Sequence, residues 1–112
     1  NILKGDCKNN TVIFSNKSSL KTNSKFSGKV NVGLRPEDFK IEDNGPIKLN
    51  VELVELVGAD TLIHGKLDGS DEILIASIQG VINDNLKGKS INLSFKEEKL
   101  HLFDISSDQR IN

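Results

Sequence analysis

The stretch "VELVELVGADTLIHGKL", residues 51–67, decides the fold class of this chain. Apolar residues recur at about every second position, and Gly58 and Asp60 interrupt the alternation. A spacing of two with many β-branched residues is typical of half-buried β-strands. We therefore predict a long strand over Ile47–Val57 and a second strand over residues 61–67.

The alternation continues on both sides of this pair of strands. In the long strand, Leu49, Val51 and Leu53 are expected to share one face, with Val54 and Leu56 on the other. A turn at residues 68–71 leads into a further strand, which makes a three-stranded meander. The remaining predicted strands are residues 2–7, 11–15, 30–35, 91–95 and 100–105, with 72–78 as the third strand of the meander. About eight short strands with polar turns indicate an all-β fold, a small antiparallel barrel or sandwich.

Composition limits the classes of function. The chain has 112 residues, a net charge of −1, five Phe and neither Trp nor Tyr. It suits one domain over residues 1–112, and its net charge gives no reason to expect nucleic acid as a partner. The single Cys7 excludes an internal disulfide, which favours a reducing compartment such as the cytoplasm. Because the chain begins at Asn1 and contains no Met, we expect it to be part of a longer protein.

The segment "NKSSLKTNSKFSGK", residues 16–29, is rich in Ser, Asn and Lys. Its lysines recur every four residues and would lie on one face of a helix. Like charges at that spacing repel each other on a helix, however, and Ser, Asn and Gly favour turns. We predict a solvated, mobile polar loop.

A nucleotide site is not expected in this chain. The tripeptide "GKS", residues 88–90, resembles the end of a phosphate-binding P-loop. The complete motif requires a glycine where Asn83 stands, and it requires a helix where the pattern here predicts a strand. We predict a turn at residues 83–89.

Metal binding and nucleophilic catalysis are also weakly supported. Cys7, His64 and His101 have the chemistry of zinc ligands, but no two of them have the spacing of a ligand pair. Ser77, His64 and Asp60 supply the residue types for acyl transfer without a nucleophile elbow. We expect neither site.

The stretch "VGLRPEDF", residues 32–39, places an arginine and two carboxylates around a proline. Pro36 can begin a short helical segment, and Glu37 and Asp38 are favoured in its first turn. Arg35 is either an anion clamp or a group that fastens strand ends or a partner chain through bidentate hydrogen bonds. The residues alone favour the structural or interface use.

Four segments in order identify a family: "NILKG" (1–5), "VGLRPEDF" (32–39), residues 51–67, and "EKLHLFDISSDQRI" (98–111). Together they resemble the C-terminal regulatory domain of the ATP-binding subunit of bacterial ABC importers of the sugar-uptake type (maltose, glycerol-3-phosphate or multiple sugars). The resemblance covers nearly the whole chain. Asp60 stands where this family usually has Glu, and Gln109 stands where a glycine is common.

The resemblance implies a TOBE domain with an OB-like barrel related to molybdate-binding proteins, appended to an upstream nucleotide-binding domain. The domain itself would be non-catalytic and hold no cofactor, whereas the parent subunit would bind ATP and Mg²⁺. The implied partners are a second copy in a homodimer, the transporter permeases and possible regulatory proteins, but no nucleic acid. The parent would be peripheral on the cytoplasmic face of the membrane. An alternative is a module that binds molybdate, tungstate or another small ligand.

The residues that carry the resemblance are also the candidates for interface or structural roles. They are Arg35, Pro36, Glu37, Asp38, His64, His101, Phe103 and Asp104.

Overall fold

The computed structural model describes residues 1–82 and 85–112. Within them the chain forms ten strands. These are β1 (Ile2–Lys8), β2 (Thr11–Phe14), β3 (Ser19–Lys21), β4 (Gly28–Gly33), β5 (Phe39–Ile41), β6 (Ile47–Val57), β7 (Asp60–Leu67), β8 (Ile73–Gln79), β9 (Ser90–Phe95) and β10 (His101–Asp104). Two short 3-10 turns, Pro36–Asp38 and Glu97–Lys99, complete the described secondary structure. No helix in this part of the chain is long and apolar enough to cross a membrane.

The first sheet has the strand order β10-β4-β1-β2-β3, and every pairing in it is antiparallel. Its β1–β2 hairpin turns at Asn9 and Asn10, whose φ angles are 53° and 59°. Asparagine tolerates this left-handed conformation better than most residues, so the local sequence specifies the turn. The predicted hairpin is confirmed.

The second sheet has the order β5-β9-β6-β7-β8 and is also antiparallel throughout. It contains the predicted meander β6-β7-β8. Gly58 and Gly69, with φ angles of 63° and 79°, lie at its two turns. The edge strands β5 and β8 approach each other without pairing. An open cleft of about 560 Å³ lies at this gap, lined in part by Phe39, Ile41 and Gln79.

An irregularity in β6 corrects the predicted faces of the long strand. The β6–β7 register shifts between Val51 and Leu53, which indicates a bulge. Beyond it, Val54 pairs with the buried Ile63, so Val54 is on the core side, whereas Leu53 is 46% exposed. A bulge adds one residue to a strand and reverses the faces that follow. The prediction that Leu53 shares a face with Val51 was therefore wrong.

One cluster of buried apolar side chains draws on both sheets. Leu3, Val30 and Leu102 belong to the first sheet, and Leu49 and Ile63 to the second. Each is fully buried. The all-β, antiparallel fold class is confirmed, with a second sheet that curls like an OB barrel but does not close.

The strand count differs from the expected one because two strands are only three residues long. One is β5, and the other is β3, which lies inside the segment predicted as a solvated loop. Leu20 is the single apolar residue of β3, and it enters the core with 5% exposure. The buried Ser24 hydroxyl donates a hydrogen bond to the carbonyl of Ile111 over 3.2 Å. Segment 16–29 is therefore partly fixed, and periodicity failed there because one apolar residue defines no pattern.

A turn precedes β9, in the part of the predicted turn region 83–89 that the structure describes. Gly88 has a φ of 82°, and the Lys89 N–H donates to the Leu86 carbonyl over 2.9 Å. A strand, not a helix, follows from Ser90. Residues 83 and 84 of the predicted turn lie outside the described residues.

Candidate functional site

The corner predicted at Pro36 is present. The chain leaves β4 at Gly33, and Pro36 takes the first position of a 3-10 turn whose first turn contains Glu37 and Asp38. The Asp38 N–H donates to the Arg35 carbonyl over 3.1 Å. Because Pro has no N–H and a fixed φ, it fits this first position and turns the strand sharply.

Asn1, not Arg35, ties the strand ends at this corner. The Asn1 side-chain amide donates to the carbonyls of Leu34 (2.9 Å) and Ile75 (2.7 Å), and its Oδ1 accepts the Ile75 N–H over 2.8 Å. The Asn1 carbonyl accepts the Leu34 N–H over 2.9 Å. One side chain thus joins the first sheet to the edge of β8 in the second. No feature of the sequence marked this role, beyond an Asn beside a strand.

The Arg35 side chain is exposed. Over residues 1–82 and 85–112, no carboxylate lies within ion-pair distance of its guanidinium and no hydrogen bond holds it. Among these residues no contact of the Arg35 side chain fastens strand ends, and its use at an interface stays a prediction.

The register of β10 against β4 brings further candidates to the same corner. His101 pairs with Gly33, and Phe103 pairs with Asn31. A Cβ placed on Gly33 would lie 3.3 Å from the His101 Cβ and 3.4 Å from the Phe103 Cε2. Glycine therefore lets the two half-buried side chains pack over the strand. Arg110 joins them, because it forms an isolated bridge with Phe103.

The surroundings of His101 at this corner lower the pKa of its imidazole. Partial burial and then the Arg110 and Arg35 guanidinium groups lower the pKa of His101, and the Asp38 carboxylate opposes them. Removal from water and nearby positive charge both disfavour the imidazolium form. His101 is therefore biased toward its neutral form by its partial burial and then by the two arginines.

Asp104 has a local structural role at the end of β10. Its Oδ1 accepts the backbone N–H of Ser106 over 3.1 Å, and its Oδ2 accepts the Ser107 hydroxyl over 3.1 Å. The Ser106 backbone hydrogen bond is the main cause that lowers the pKa of Asp104. The turn continues through Asp108, whose φ is 61°, beside the position where Gln109 replaces a common glycine.

His64 lies apart from the corner, on the second sheet. Its Nε2 is 2.7 Å from the Glu55 Oε1, although the approach lacks good hydrogen-bond alignment. Ser77 and Asp60 are near in the same sheet, but the described residues show no hydrogen bond from Ser77 to His64.

The three potential zinc ligands do not meet. Cys7 is buried in the core of the first sheet, and burial raises the pKa of its thiol. His101 is on the outer face of that sheet and His64 is on the other sheet. In the described part of the chain, no group of three or more His, Cys, Asp and Glu side chains is placed to hold a metal ion.

The outer face of the first sheet carries charged side chains whose sign cannot be read from the net charge of the chain. Leu3, Val12, Val30 and Leu102 point to the core, so their neighbours along each strand point outward. The paired residues with charged side chains on this outer face are Lys4, Lys8, Lys21, Lys29 and Arg110, together with Asp6. Cationic side chains therefore outnumber carboxylates among the paired residues of this face, although the net charge of the chain is −1.

Known proteins resemble this chain over most of its length. The sn-glycerol-3-phosphate import ATP-binding protein UgpC of Ruegeria sp. (strain TM1040) is 37% identical over 111 residues, which is 99% of this chain and 31% of the relative. The protein of the same name from Psychromonas ingrahamii is 32% identical over 101 residues, 84% of this chain and 27% of the relative. An uncharacterised ABC transporter ATP-binding protein of Escherichia coli (strain K12) is 28% identical over 91 residues, 80% of this chain and 24% of the relative.

The chain therefore spans less than a third of the length of the curated relatives it matches. The family model described as "TOBE domain" matches residues 32–103, from the Arg35 corner to Phe103. Both findings confirm the resemblance drawn from the four sequence segments. The chain belongs to the TOBE domain family.

Proposed function

We propose that this chain is the regulatory and dimerisation domain of the ATP-binding subunit of a bacterial ABC importer for sugars or a related solute such as glycerol 3-phosphate. The observation that carries the proposal is the match of 99% of the chain to a part, 31%, of an import ATP-binding protein. ATP and Mg²⁺ would bind elsewhere in the same subunit. The whole subunit would lie on the cytoplasmic face of the membrane, against the permeases.

The sequence supports a non-catalytic role for this domain. The only P-loop-like tripeptide, residues 88–90, lies at a turn before a strand, and Asn83 occupies the position of the required glycine. A P-loop needs a glycine-rich loop that opens a helix, whose N-terminus binds the phosphates. ATP hydrolysis by the isolated chain at the rate of a complete subunit would refute this part of the proposal.

Exposed apolar side chains support the dimerisation role. At the tip of the β6–β7 hairpin, Leu56 is 62% exposed and Val57 is 53% exposed, and Val81 nearby is 58% exposed. Large apolar side chains exposed together near one hairpin tip are candidates for contact with another molecule. We propose that a second copy of the subunit covers part of this tip, and that regulatory proteins bind other surfaces of the domain.

Sedimentation of the complete subunit tests the dimer. Leu56→Asp should shift the subunit from dimer toward monomer, because a buried unpaired carboxylate is costly. Ile73→Asp is the matched control, since Ile73 is equally apolar, is 64% exposed and lies at the far end of the meander. An unchanged dimer in Leu56→Asp, or equal loss of the dimer in both variants, would contradict the proposed contact.

Calorimetry with molybdate and tungstate tests the alternative function, a module that binds a small oxyanion. Micromolar binding of either anion would favour that alternative.

A further inference from the structure

The outer edge of β8 is occupied near its middle by a side chain. The Asn1 amide pairs with both the N–H and the carbonyl of Ile75, over 2.8 and 2.7 Å. A neighbouring strand would make the same two-point contact. Because backbone hydrogen bonds point to alternate sides along a strand, the N–H and carbonyl groups of Ser77 and Gln79 face the same edge. β8 is the last strand of its sheet, so no strand among the described residues pairs with these groups on that side.

β5 presents a second open edge across the cleft. The Glu42 N–H donates to the Asn92 carbonyl over 3.1 Å, toward β9. By the same alternation, Phe39 and Ile41 direct their N–H and carbonyl groups away from β9. The two open edges border the cleft of about 560 Å³. Unpaired strand edges are templates for the addition of another strand.

From these two edges we propose that the cleft between β5 and β8 binds an extended segment of a partner protein by strand addition, and that apolar and basic side chains alternate in this segment. The inference goes beyond the regulatory and dimerisation role proposed above. It does not depend on the proposed dimer contact.

The directions of the strands favour an added segment over closure of the sheet on itself. Every step from β8 through β7, β6 and β9 to β5 is antiparallel, so β5 and β8 run in the same direction. Direct pairing of these two strands would be parallel, which is the slightly less stable arrangement, and β5 has only three residues. A segment that runs the opposite way in the cleft is antiparallel to both strands.

The faces of the two strands also fit one regular segment. The Phe39 side chain is 5% exposed and points to the core, and Ile41 lies on the same face of β5. Ser77 and Gln79 alternate with the buried Ala76 and face outward. Directly paired residues share a face of a sheet, so the core-facing residues of a segment would pair with β5 and its outward residues with β8. The core-facing residues should be apolar, since they would lie against Phe39 and Ile41.

Two carboxylates predict the charge of the outward residues. Glu37 and Asp60 line the cleft, and neither has a cation within ion-pair distance over the described ranges. The Lys40 ammonium group also lines the cleft, but it lies 3.5 Å from the Glu42 carboxylate. Lysine or arginine on the segment would complement the two carboxylates, whereas acidic residues would be repelled.

The test is an NMR titration of the isotope-labelled chain with a capped heptapeptide in which valine and lysine alternate. Such a peptide spans about 23 Å when extended. We expect saturable binding with a Kd of about 0.1 mM or tighter. Binding should slow hydrogen exchange at the Ser77 and Gln79 amides, which should exchange rapidly in the free chain because no strand covers them. Slow exchange of both amides without peptide, or no saturable binding up to about 1 mM peptide, would overturn the proposal.

Two further peptides separate strand addition from general attraction. A peptide with glutamate in place of lysine should bind at least tenfold more weakly, because its charges oppose those of the cleft. A peptide with methyl groups on its lysine amide nitrogens should not bind detectably, because it cannot donate hydrogen bonds to the edge of β8. Binding of the methylated peptide as tight as that of the parent peptide would refute backbone pairing.

Substitutions in the chain locate the contact. Glu37→Gln and Asp60→Asn should each weaken binding of the lysine peptide about two- to fivefold, the range for exposed ion pairs. Glu98→Gln is the matched control, because Glu98 is an exposed glutamate of the second 3-10 turn and does not line the cleft. Equal loss in all three variants would indicate unspecific attraction and refute the assigned cleft.

A second copy of the chain is the other candidate occupant. If the free chain dimerises and the dimer itself protects the Ser77 and Gln79 amides, a second copy covers the cleft and the proposal fails. Leu56→Asp, which should break the dimer proposed above, should leave peptide binding unchanged. Failure of the dimer contact and failure of the peptide site are therefore distinguishable.

Discussion

Gly65→Ala should destabilise the fold strongly, because Gly65 lies where two strands approach most closely. A Cβ on Gly65 would lie 2.2 Å from the Asn50 carbonyl oxygen and 3.0 Å from the Leu49 Cγ. A carbon and an oxygen that are not bonded need about 3.3 Å or more. The backbone of β6 would have to move by about 1 Å, and Leu49 is fully buried behind it.

The expected cost is about 3 kcal/mol, the upper end of the range for overpacking, because backbone rather than a flexible side chain must move. For a domain of this size that corresponds to a fall in Tm of about 10–15 °C. Thermal and urea unfolding followed by circular dichroism would measure it, since the chain has no Trp or Tyr for fluorescence.

Gly58→Ala in the same hairpin is the control. Its Cβ would meet nothing within 4 Å, but its φ of +63° is unfavourable for alanine, so the expected cost is about 1–2 kcal/mol. If Gly65→Ala cost no more than Gly58→Ala, the close approach of β6 and β7 would be refuted.

Three further predictions follow from the core, the strand junction and the charged corner. Leu49→Ala should cost about 2–5 kcal/mol in urea unfolding, because Leu49 has 0% exposure; a loss below 1 kcal/mol would mean that this side chain is not central to the core. Asn1→Ala should cost about 1–3 kcal/mol and speed hydrogen exchange at the Ile75 amide, which donates to Asn1 Oδ1; unchanged exchange would contradict the junction. The pKa of His101 is lowered in the folded chain, so protonation favours the unfolded state, and stability should fall as pH decreases below about 6.5. His101→Gln should reduce this dependence, and an identical pH profile would argue against the charged environment of His101.

The sequence predicted most of the fold because the information was local. The alternation of apolar and polar residues predicted the long β6–β7–β8 meander. Turn residues such as Asn9, Asn10 and Gly58 marked where strands reverse direction. It missed β3 and β5, since three residues with one or two apolar side chains define no period. It also misplaced Leu53, because a bulge in β6 is set by pairing with β7 and has no local signal.

The candidate site was partly predictable. The Pro36 corner followed from the chemistry of proline and of acidic residues in a first turn. The packing of His101 and Phe103 over Gly33, two residues before Arg35, was not predictable, because it depends on the register of β10 against β4. The family resemblance selected Arg35, His101 and Phe103 as candidates without showing that they are neighbours.

The sequence by itself determined that this is an antiparallel all-β domain and to which family it belongs, since both depend on the order of residues along the chain. Only the tertiary structure decided how charge is distributed. The net charge of −1 gave no reason to expect nucleic acid as a partner, yet strand pairing places Lys4, Lys8, Lys21 and Lys29 on one outer face. Net charge is a sum over the chain, whereas a surface potential depends on which side chains the fold places side by side.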